Sequence, residues 1–231
     1  MDKRTLLARH YLFRDVDGAV VDGLVEIAGS RRIPAGEHLF QKGDDGDALF
    51  GVLTGGVAIY AGSPTGREII LNVMEPGDVF GEIALLDGLP RTAHAKALKD
   101  SEVMEIHRRD FLPFLQREPT LAIHLMQLLC ERVRWTNDQI EDAAFLSLPA
   151  RLAKRLLALA TIYGEDAAAG VRIGMKLSQT DLGKMLGTSR ESVSRHLKDW
   201  AEQDWIALER NRVTIRARAP LQALVDGDLR H

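Results

Sequence analysis

The chain has 231 residues, 45% of them apolar, which is ordinary for a globular protein with one large domain or two smaller ones. Its single cysteine, Cys130, excludes a disulfide framework and a four-thiolate cluster, and its seven histidines form no metal-binding motif. No apolar run reaches the ~20 residues that cross a bilayer, and no signal-peptide core follows Met1. We therefore expect a cytoplasmic protein with no membrane partner and no metal.

The net charge of −3 is distributed unevenly along the chain. Residues 1–145 carry a net charge of −7, whereas residues 146–231 carry +4. This difference predicts that only the C-terminal part meets a polyanion such as a nucleic acid.

Residues 5–28 have helical spacing, and the pattern changes from about residue 32 to residue 105. Short apolar runs such as Gly56–Tyr60 and Glu68–Asn72 alternate there with turn signals every ~8–12 residues, a pattern that predicts a small antiparallel barrel or jelly roll. Cupin-like metalloenzymes also use such barrels. Their chemistry needs clustered histidine ligands, whereas the histidines of this region are scattered without ligand spacing; they are His38, His94 and His107.

The segment Phe80–Ala93, with the sequence FGEIALLDGLPRTA, has the groups that a small cyclic phosphate ester needs. Gly81 permits a close approach of the backbone, and the apolar residues after it can start a short helix whose free N–H groups face an anion. Arg91 offers a planar fork of donors to phosphate oxygens, and Thr92 adds a hydroxyl. Glu82 accepts hydrogen bonds when ionised, so it suits a sugar hydroxyl.

A surface ion pair of Arg91 with Glu82 or Asp87 is the alternative interpretation, but it leaves the order of the whole segment unexplained. That order strongly resembles the phosphate-binding cassette of cyclic-nucleotide-binding domains. The resemblance implies that Glu82 binds the ribose 2′-hydroxyl and that Arg91 and Thr92 bind the cyclic phosphate. It also implies that two backbone amides complete the cradle, those of Ile83 and Ala84.

A heptad pattern follows Pro119 and predicts a long helix. Its positions alternate in steps of four and three; they are Ala122, Met126, Leu129, Val133, Thr136, Ile140 and Ala143. One alternative is that this face packs on the barrel of its own chain. Leu121, Leu125 and Leu128 can fill that role, which leaves the heptad stripe for a partner helix, so we expect a homodimer. The helix should end near Phe145–Pro149, since Pro149 disfavours helix at the residue before it.

Residues 150–163 have the spacing of a further helix, residues 164–170 form a small-residue loop by composition, and a second motif lies in 177–198. Ser178 followed by Asp181 resembles an N-cap signal with an acidic residue in the first turn, and Thr188 followed by Glu191 is a capping box. Gly187 lies between them as a breaker. Two short helices joined by a tight turn form a helix-turn-helix.

On the second of these helices an apolar stripe is predicted to face inward and a polar set outward. The inward residues are Val193, Leu197 and Trp200, and the outward residues are Arg190, Glu191, Ser194, Arg195 and Lys198. Arginine can bind a guanine edge bidentately and glutamate can accept from cytosine, so this set suits a DNA major groove. The alternative is a solvated charged face with no ligand.

The segment from Thr188 to Arg195 closely resembles the recognition helix of the Crp/Fnr family of transcription regulators. The resemblance implies that three residues read bases, Arg190, Glu191 and Arg195, with Lys198 on the same surface. It implies phosphate contacts for three more, Ser178, Thr188 and Ser189. Residues 209–216 resemble a β-wing, in which Arg210, Arg212 and Arg216 are candidates for phosphate contacts.

The resemblance covers nearly the whole chain and implies an α+β architecture. We expect an N-terminal antiparallel β jelly-roll, cyclic-nucleotide-binding, in residues 1–117. A long central dimerisation helix would follow in 118–146, and a C-terminal winged helix-turn-helix in 147–231. The implied function is that of a homodimeric, non-enzymatic transcription regulator, switched allosterically by a nucleotide, that binds double-stranded DNA at a two-fold-symmetric operator and contacts RNA polymerase.

The family pattern also places Thr136 against the purine base and Asn137 as a second polar contact that reaches the nucleotide bound to the partner subunit. Thr136 has two alternative roles, a hydrogen bond back to its own helix and a setting of helix register. We expect cAMP as the ligand. The alternative is cGMP, because a threonine at the position of Thr92 is typical of cGMP-selective domains. A further alternative is a regulator of this family that binds DNA without nucleotide or senses another small molecule.

Overall fold

The computed structural model of the protein describes residues 1–13, 15–63, 66, 68–175 and 177–228. The chain divides into two compact units, Met1–Val133 and Arg134–His231, so the division falls within the long helix α5. Among the helices of the described ranges, none combines the length and the apolar character that a membrane span requires.

The first unit is a β domain with helices before and after it. Its helices are α1 (Lys3–Arg9), α2 (Gly18–Ile27), α3 (Glu82–Asp87), α4 (Arg108–Arg117) and α5 (Pro119–Phe145), of which α5 continues into the second unit; a 3-10 turn covers Tyr11–Phe13. Its strands are β1 (Gly29–Ile33), β2 (His38–Phe40), β3 (Ala48–Gly62), β4 (Glu68–Met74), β5 (Val79–Phe80) and β6 (His94–His107). The expected strands within Gly56–Tyr60 and Glu68–Asn72 are confirmed as parts of β3 and β4.

Two long strands organise the sheet of this unit. β6 pairs antiparallel with β1, β2 and β3, and β3 pairs antiparallel with β4 and β5. The β3–β6 register shifts three times between Val52 and Val57, and such irregularities bend a strand pair. The predicted antiparallel β domain is confirmed. The short helix α3 follows β5 directly, so the predicted cassette lies between β5 and β6.

Helix α5 has two apolar stripes with different surroundings. Leu121, Leu125 and Leu128 are buried in the core of the first unit, as predicted. The heptad stripe on the same helix is open, because Met126, Val133 and Ile140 are each more than half exposed. The helix therefore has one covered face and one apolar face that this chain leaves in water.

The second unit is a small α/β domain with the elements of a winged helix-turn-helix. Its remaining helices are α6 (Leu148–Tyr163), α7 (Gln179–Leu186), α8 (Arg190–Glu202) and α9 (Arg218–Asp228). Its strands are β7 (Gly164–Ala167), β8 (Gly170–Ile173), β9 (Ile206–Glu209) and β10 (Arg212–Ile215), in the sheet order β7-β8-β10-β9. The expected winged helix-turn-helix fold is confirmed.

Residues 164–170, predicted as a loop, form most of the β7–β8 hairpin, and this prediction was wrong. The physical reason is that β8 is held from its other side. Thr214 and Ile215 of β10 pair with β8, and Gly170 lies so close to Ile215 that an added Cβ would approach its carbonyl oxygen to 2.1 Å. Tertiary pairing here outweighs a composition that is typical of loops.

Candidate functional site

A small cavity in the first unit brings the predicted cassette residues together. Its volume is about 60 Å³. Its walls come from β2, β3, β5, α3, the segment before β6 and α5; they are Phe40, Ile59, Phe80, Gly81, Glu82, Ile83, Ala84, Arg91, Thr92, Ala93 and Arg132. This volume is smaller than the ~300–1,000 Å³ that is usual for ligand pockets.

Gly81 makes the turn from β5 into α3, and two constraints require glycine there. Its φ of 88° is in the left-handed region that side chains disfavour. A Cβ at this position would lie 2.9 Å from Arg91 Nη1 and 3.1 Å from the carbonyl oxygen of Ala48. The first N–H groups of α3 have no intrahelical acceptor, and among these Ile83 and Ala84 line the cavity. The amide cradle stays a prediction.

Arg91 is buried, with 4% of its surface exposed. Its Nη1 donates to the carbonyl oxygen of Gly81 at 3.0 Å and its Nη2 to that of Ala48 at 2.8 Å. Its Nε is buried and has no hydrogen-bond partner in the described part of the chain. Burial lowers the pKa of Arg91, and the more distant carboxylates of Asp47 and Glu82 act in the opposite direction. Arg91 is therefore an inward-facing donor group, and the alternative of a surface ion pair does not hold.

Glu82 is also buried, and its partner is a residue that the sequence analysis missed. Glu82 is 1% exposed, and its Oε1 lies 2.8 Å from Nε of Arg132 on α5. Arg132 Nη2 also donates to the carbonyl oxygen of Val79 at 3.0 Å. Glu82 Oε2 is buried and has no hydrogen-bond partner among the described residues. The helical spacing indicates this position of Arg132, since Arg132 follows Leu128 by four residues on the buried stripe of α5.

The other predicted ligand residues differ in their surroundings. Thr92 is exposed and lines the cavity. Thr136 and Asn137 lie on α5 in the second unit, and both are exposed in the single chain. Their contacts with a base stay predictions.

The helix-turn-helix is fixed by its caps and by a close approach at the turn. Ser178 is the N-cap of α7, as predicted, and it also forms a capping box with Asp181, whose N–H donates to Ser178 Oγ at 3.1 Å. Gly187 ends α7 at a φ of 64°, as a breaker should. A Cβ on Gly183 would lie 2.9 Å from the carbonyl oxygen of Thr188, so only glycine permits this tight turn.

The N-cap of α8 differs from the prediction by one residue. Ser189, and not Thr188, caps the helix and accepts from Ser192 N–H at 3.2 Å. Thr188 N–H instead donates to the carbonyl oxygen of Gly183 at 2.9 Å, which places Thr188 in the turn. The predicted capping box of Thr188 and Glu191 was therefore wrong.

Helix α8 has the inward and outward faces that its sequence predicts. Val193, Leu197 and Trp200 are buried in the core of the second unit. The outward residues share one depression of the surface; they are Arg190, Glu191, Ser194, Arg195, Lys198 and Asp199. Nζ of Lys198 lies 3.7 Å from Oε1 of Glu202, which follows one turn later on the helix. The predicted base-reading residues are thus neighbours on an open face.

The wing is the two-residue hairpin between β9 and β10. Its turn residues, Arg210 and Asn211, both have positive φ angles, 46° and 65°, as a type I′ turn requires. Arg216 forms an ion pair with Asp204, so its side chain is already engaged within the unit. The phosphate contacts proposed for Arg210, Arg212 and Arg216 stay predictions.

Two domain families match this chain. Residues 30–118 match the cyclic nucleotide-binding domain, and residues 150–224 match the Crp-like helix-turn-helix domain. The first match contains the cavity residues other than Arg132, and the second contains α7, α8 and the wing.

Characterised proteins resemble the chain over nearly its full length. A "CRP-like cAMP-activated global transcriptional regulator" of Mycobacterium tuberculosis is 32% identical over 210 residues, which is 91% of this chain and 94% of the relative. The "Cyclic AMP receptor protein" of Thermus thermophilus is 32% identical over 216 residues, 94% and 97% of the two chains. The crystal structure of the Thermus thermophilus catabolite activator protein, also 32% identical, has a TM-score of 0.54 and covers 94% of this chain and 99% of its own.

A more distant structure supports the fold alone. FixK2 from Bradyrhizobium japonicum has a TM-score of 0.76 at 24% identity, covering 86% of this chain and 97% of its own.

Proposed function

Because the chain belongs to the Crp/Fnr family of transcription regulators, we propose that it binds DNA as a homodimer and that cAMP switches this binding from the cavity of the first unit. The matched domains are those of transcriptional regulators and not of enzymes. One observation carries the nucleotide part of the proposal. The guanidinium of Arg91, whose buried Nε has no partner among the residues that the structure describes, lines the cavity together with a hydroxyl and helix-start amides.

The cyclic phosphate would bind at Arg91. Its Nε donates to a phosphate oxygen, Thr92 Oγ1 adds a second bond, and the amides of Ile83 and Ala84 point toward the anion. Because the guanidinium is already desolvated and held by two carbonyls, a phosphate gains a charge-assisted contact without the cost of ordering a flexible side chain.

The ribose would bind at Glu82. Its Oε2 accepts no hydrogen bond from the described residues, and a 2′-hydroxyl can donate one to it. Glu82 Oε1 meanwhile stays on Arg132, so the ribose subsite is connected to helix α5. A nucleotide in this subsite thus acts on α5 through one ion pair.

The base would contact Thr136 and Asn137 from α5. With Thr92 beside the phosphate, a guanine amino group has a hydroxyl to bind, so cGMP is the alternative ligand. cAMP is favoured because the similar regulators of Mycobacterium tuberculosis and Thermus thermophilus carry cAMP in their names.

The homodimer would form along the heptad stripe of α5. Met126, Val133 and Ile140 are 57%, 60% and 62% exposed, and a contiguous apolar stripe of this kind is covered by a partner helix in coiled coils. A parallel pair of α5 helices leaves the buried stripe of Leu121, Leu125 and Leu128 on its own core.

In the dimer the two α8 helices would enter successive major grooves of a two-fold-symmetric operator, ~34 Å apart. Arg190, Glu191 and Arg195 would read base edges; Ser178, Thr188 and Ser189 would bind phosphates, and Lys198 extends the same face. The DNA-bound dimer would also contact RNA polymerase. Nucleotide shifts the equilibrium by its difference in affinity for the two states, ~1–3 kcal/mol for allosteric couplings.

The test is selection of binding sites from a random duplex library, with and without cAMP. We expect two-fold-symmetric sites in the presence of cAMP, and an affinity of the selected duplex that rises roughly 5- to 150-fold when cAMP is added. cGMP at the same concentration is the matched comparison. Selection of the same sites with equal affinity in the absence of nucleotide would contradict the switch and favour a ligand-independent regulator.

A further inference from the structure

The guanidinium of Arg91 rests on aromatic rings as well as on backbone carbonyls. Its Cζ lies 4.3 Å from the centroid of the Phe40 ring and 5.3 Å from that of Phe50. The Phe50 ring in turn stacks on Phe80 at 5.6 Å, and Phe40 lies 6.2 Å from Phe80. The rings of Phe40 and Phe50 thus form an aromatic platform against the cation, and the ring of Phe80 packs on both of them.

The aromatic platform offsets the cost of burying the Arg91 cation, and it suits an anion-binding site better than a carboxylate would. A buried cation is costly unless something compensates its lost hydration. Among the described residues no carboxylate lies within ion-pair distance of Arg91. A ring face attracts a cation without occupying any of its N–H donors, whereas a carboxylate would occupy two and repel an anionic ligand. The rings therefore stabilise the charge and leave Nε available.

Phe40 has a different position from the other two rings. Phe50 and Phe80 are buried core residues, 3% and 1% exposed, and would be needed for packing in any case. Phe40 is half-buried, lines the cavity and is the ring nearest to the guanidinium. It lies at the end of β2, a strand of only three residues whose pairing with β6 is irregular between His38 and Phe40.

We propose that Phe40 is a positioning residue for the anion-binding Arg91, and that its ring fixes the plane and the charge of the guanidinium before a ligand arrives. The expected effect of Phe40 on the affinity for cAMP rests on the proposed nucleotide site. The side chain acts through Arg91 and does not need to touch the nucleotide.

Three variants test the proposal. Phe40→Leu removes the ring and keeps an apolar side chain, and Phe40→Tyr keeps the ring. Phe114→Leu is the control, since Phe114 is a half-buried ring of the same unit outside the cavity walls. The first readout needs no nucleotide. It is the NMR signal of the Arg91 Nε–H, which a ring face shifts upfield. The loss of this signal in Arg91→Lys assigns it. The second readout is calorimetric affinity for cAMP.

We expect Phe40→Leu to lose the upfield shift and to bind cAMP roughly tenfold more weakly. Phe40→Tyr and Phe114→Leu should keep the shift and bind within about threefold of the original protein. Thermal unfolding of each variant identifies a loss that comes from misfolding. Two results would overturn the proposal: a shifted Nε–H signal that survives in Phe40→Leu, or equal losses of affinity in Phe40→Leu and Phe40→Tyr. If the unmodified protein binds neither cAMP nor cGMP, the nucleotide function fails, and the Nε–H signal alone decides whether Phe40 holds Arg91.

Discussion

The cavity of the first unit and the outward face of α8 use the same charged group in opposite ways. Arg91 is 4% exposed and already bound to two carbonyl oxygens, whereas Arg195 is exposed on an open helix face. A buried, oriented donor has lost its hydration during folding, so a small anion that fits gains a strong contact. An exposed arginine keeps its hydration until DNA binds, and its contribution falls with added salt.

The two regions also differ in what binding must disrupt. The cavity has a volume of about 60 Å³, and its Glu82 already forms an ion pair with Arg132 of α5. In the proposed function, a nucleotide has to disturb these contacts when it enters. On α8 the outward residues already share an open surface. The first region is thus enclosed and internally paired, whereas the second is open; in the proposed function the first is the switch and the second the contact surface.

The largest effect is expected at the buried cation. Arg91→Ala removes the only charge that we assign to the cyclic phosphate, so it should weaken nucleotide binding by more than about 100-fold. The heptad stripe of α5 is untouched, so sedimentation should give the same oligomeric state. Calorimetry with cAMP measures the loss. The control is Arg109→Ala, because Arg109 belongs to the same unit and its side chain is 81% exposed. Equal affinity in Arg91→Ala and the control would remove Arg91 from the site.

A smaller loss is expected at the open face. Arg195→Ala should weaken binding to the selected operator roughly 10- to 100-fold, because a bidentate base contact contributes ~1–3 kcal/mol. Binding to unrelated DNA should change little. Arg218→Ala, an exposed arginine on α9, is the matched control. Fluorescence anisotropy on both duplexes gives the two affinities. A loss of the same size on unrelated DNA would make Arg195 a phosphate contact.

A pair of glycine substitutions separates two effects of a side chain at Gly81, the steric contact with Arg91 and the strain of a positive φ. Gly81→Ala places a Cβ 2.9 Å from Arg91 Nη1 at a φ of 88°, whereas Gly36→Ala has a similar φ of 85° and nothing within 4 Å. Both should lose ~1–2 kcal/mol of unfolding free energy through the backbone. Only Gly81→Ala should also lower cAMP affinity, roughly tenfold for ~1.4 kcal/mol. Urea unfolding and calorimetry measure the two quantities, and matching affinities in the two variants would show that the cavity tolerates the Cβ.

The smallest effect is a pH dependence that tests burial in the first unit. Burial, and secondarily Arg132, lowers the pKa of His10 to about 4, from an ordinary value of 6.5. The unfolded chain therefore binds more protons than the folded one between about pH 6.5 and pH 4, and the unfolding free energy falls as the pH falls through that window. We expect a loss of about 1–2 kcal/mol by pH 5.

His10→Asn tests that loss, because Asn offers an acceptor near Nδ1, which accepts from Leu12 N–H at 3.2 Å. Urea unfolding of both proteins at pH 7 and pH 5 isolates the His10 contribution from those of the carboxylates. We expect the variant to be less sensitive to pH. The same difference between pH 7 and pH 5 in both proteins would contradict the burial of a neutral His10.

The sequence predicted the parts of the site that are contiguous in the chain. Gly81, Glu82, Arg91 and Thr92 lie within one segment, and α3 begins where the free amides were expected. The inward stripe of α8 was likewise predictable, because a period of four and three residues is a local property.

What the sequence did not reveal depends on contacts between distant segments. Arg132 was missed because it lies 41 residues after Arg91, and a charged residue on a helix is expected in water. The β7–β8 hairpin was missed because β10 holds it. The N-cap of α8 was ambiguous, since Thr188 and Ser189 are adjacent and only the hydrogen bond of Thr188 N–H to Gly183 decides between them.

The most direct measurement is calorimetric titration of the purified protein with cAMP and, separately, with cGMP. The account predicts one saturable site per chain for cAMP, weaker binding of cGMP, and no measurable binding of either to Arg91→Ala. Tighter binding of cGMP would keep the cavity as the site and change the signal. Absence of binding by both nucleotides, or unchanged binding to Arg91→Ala, would contradict the claim that this cavity senses a cyclic nucleotide.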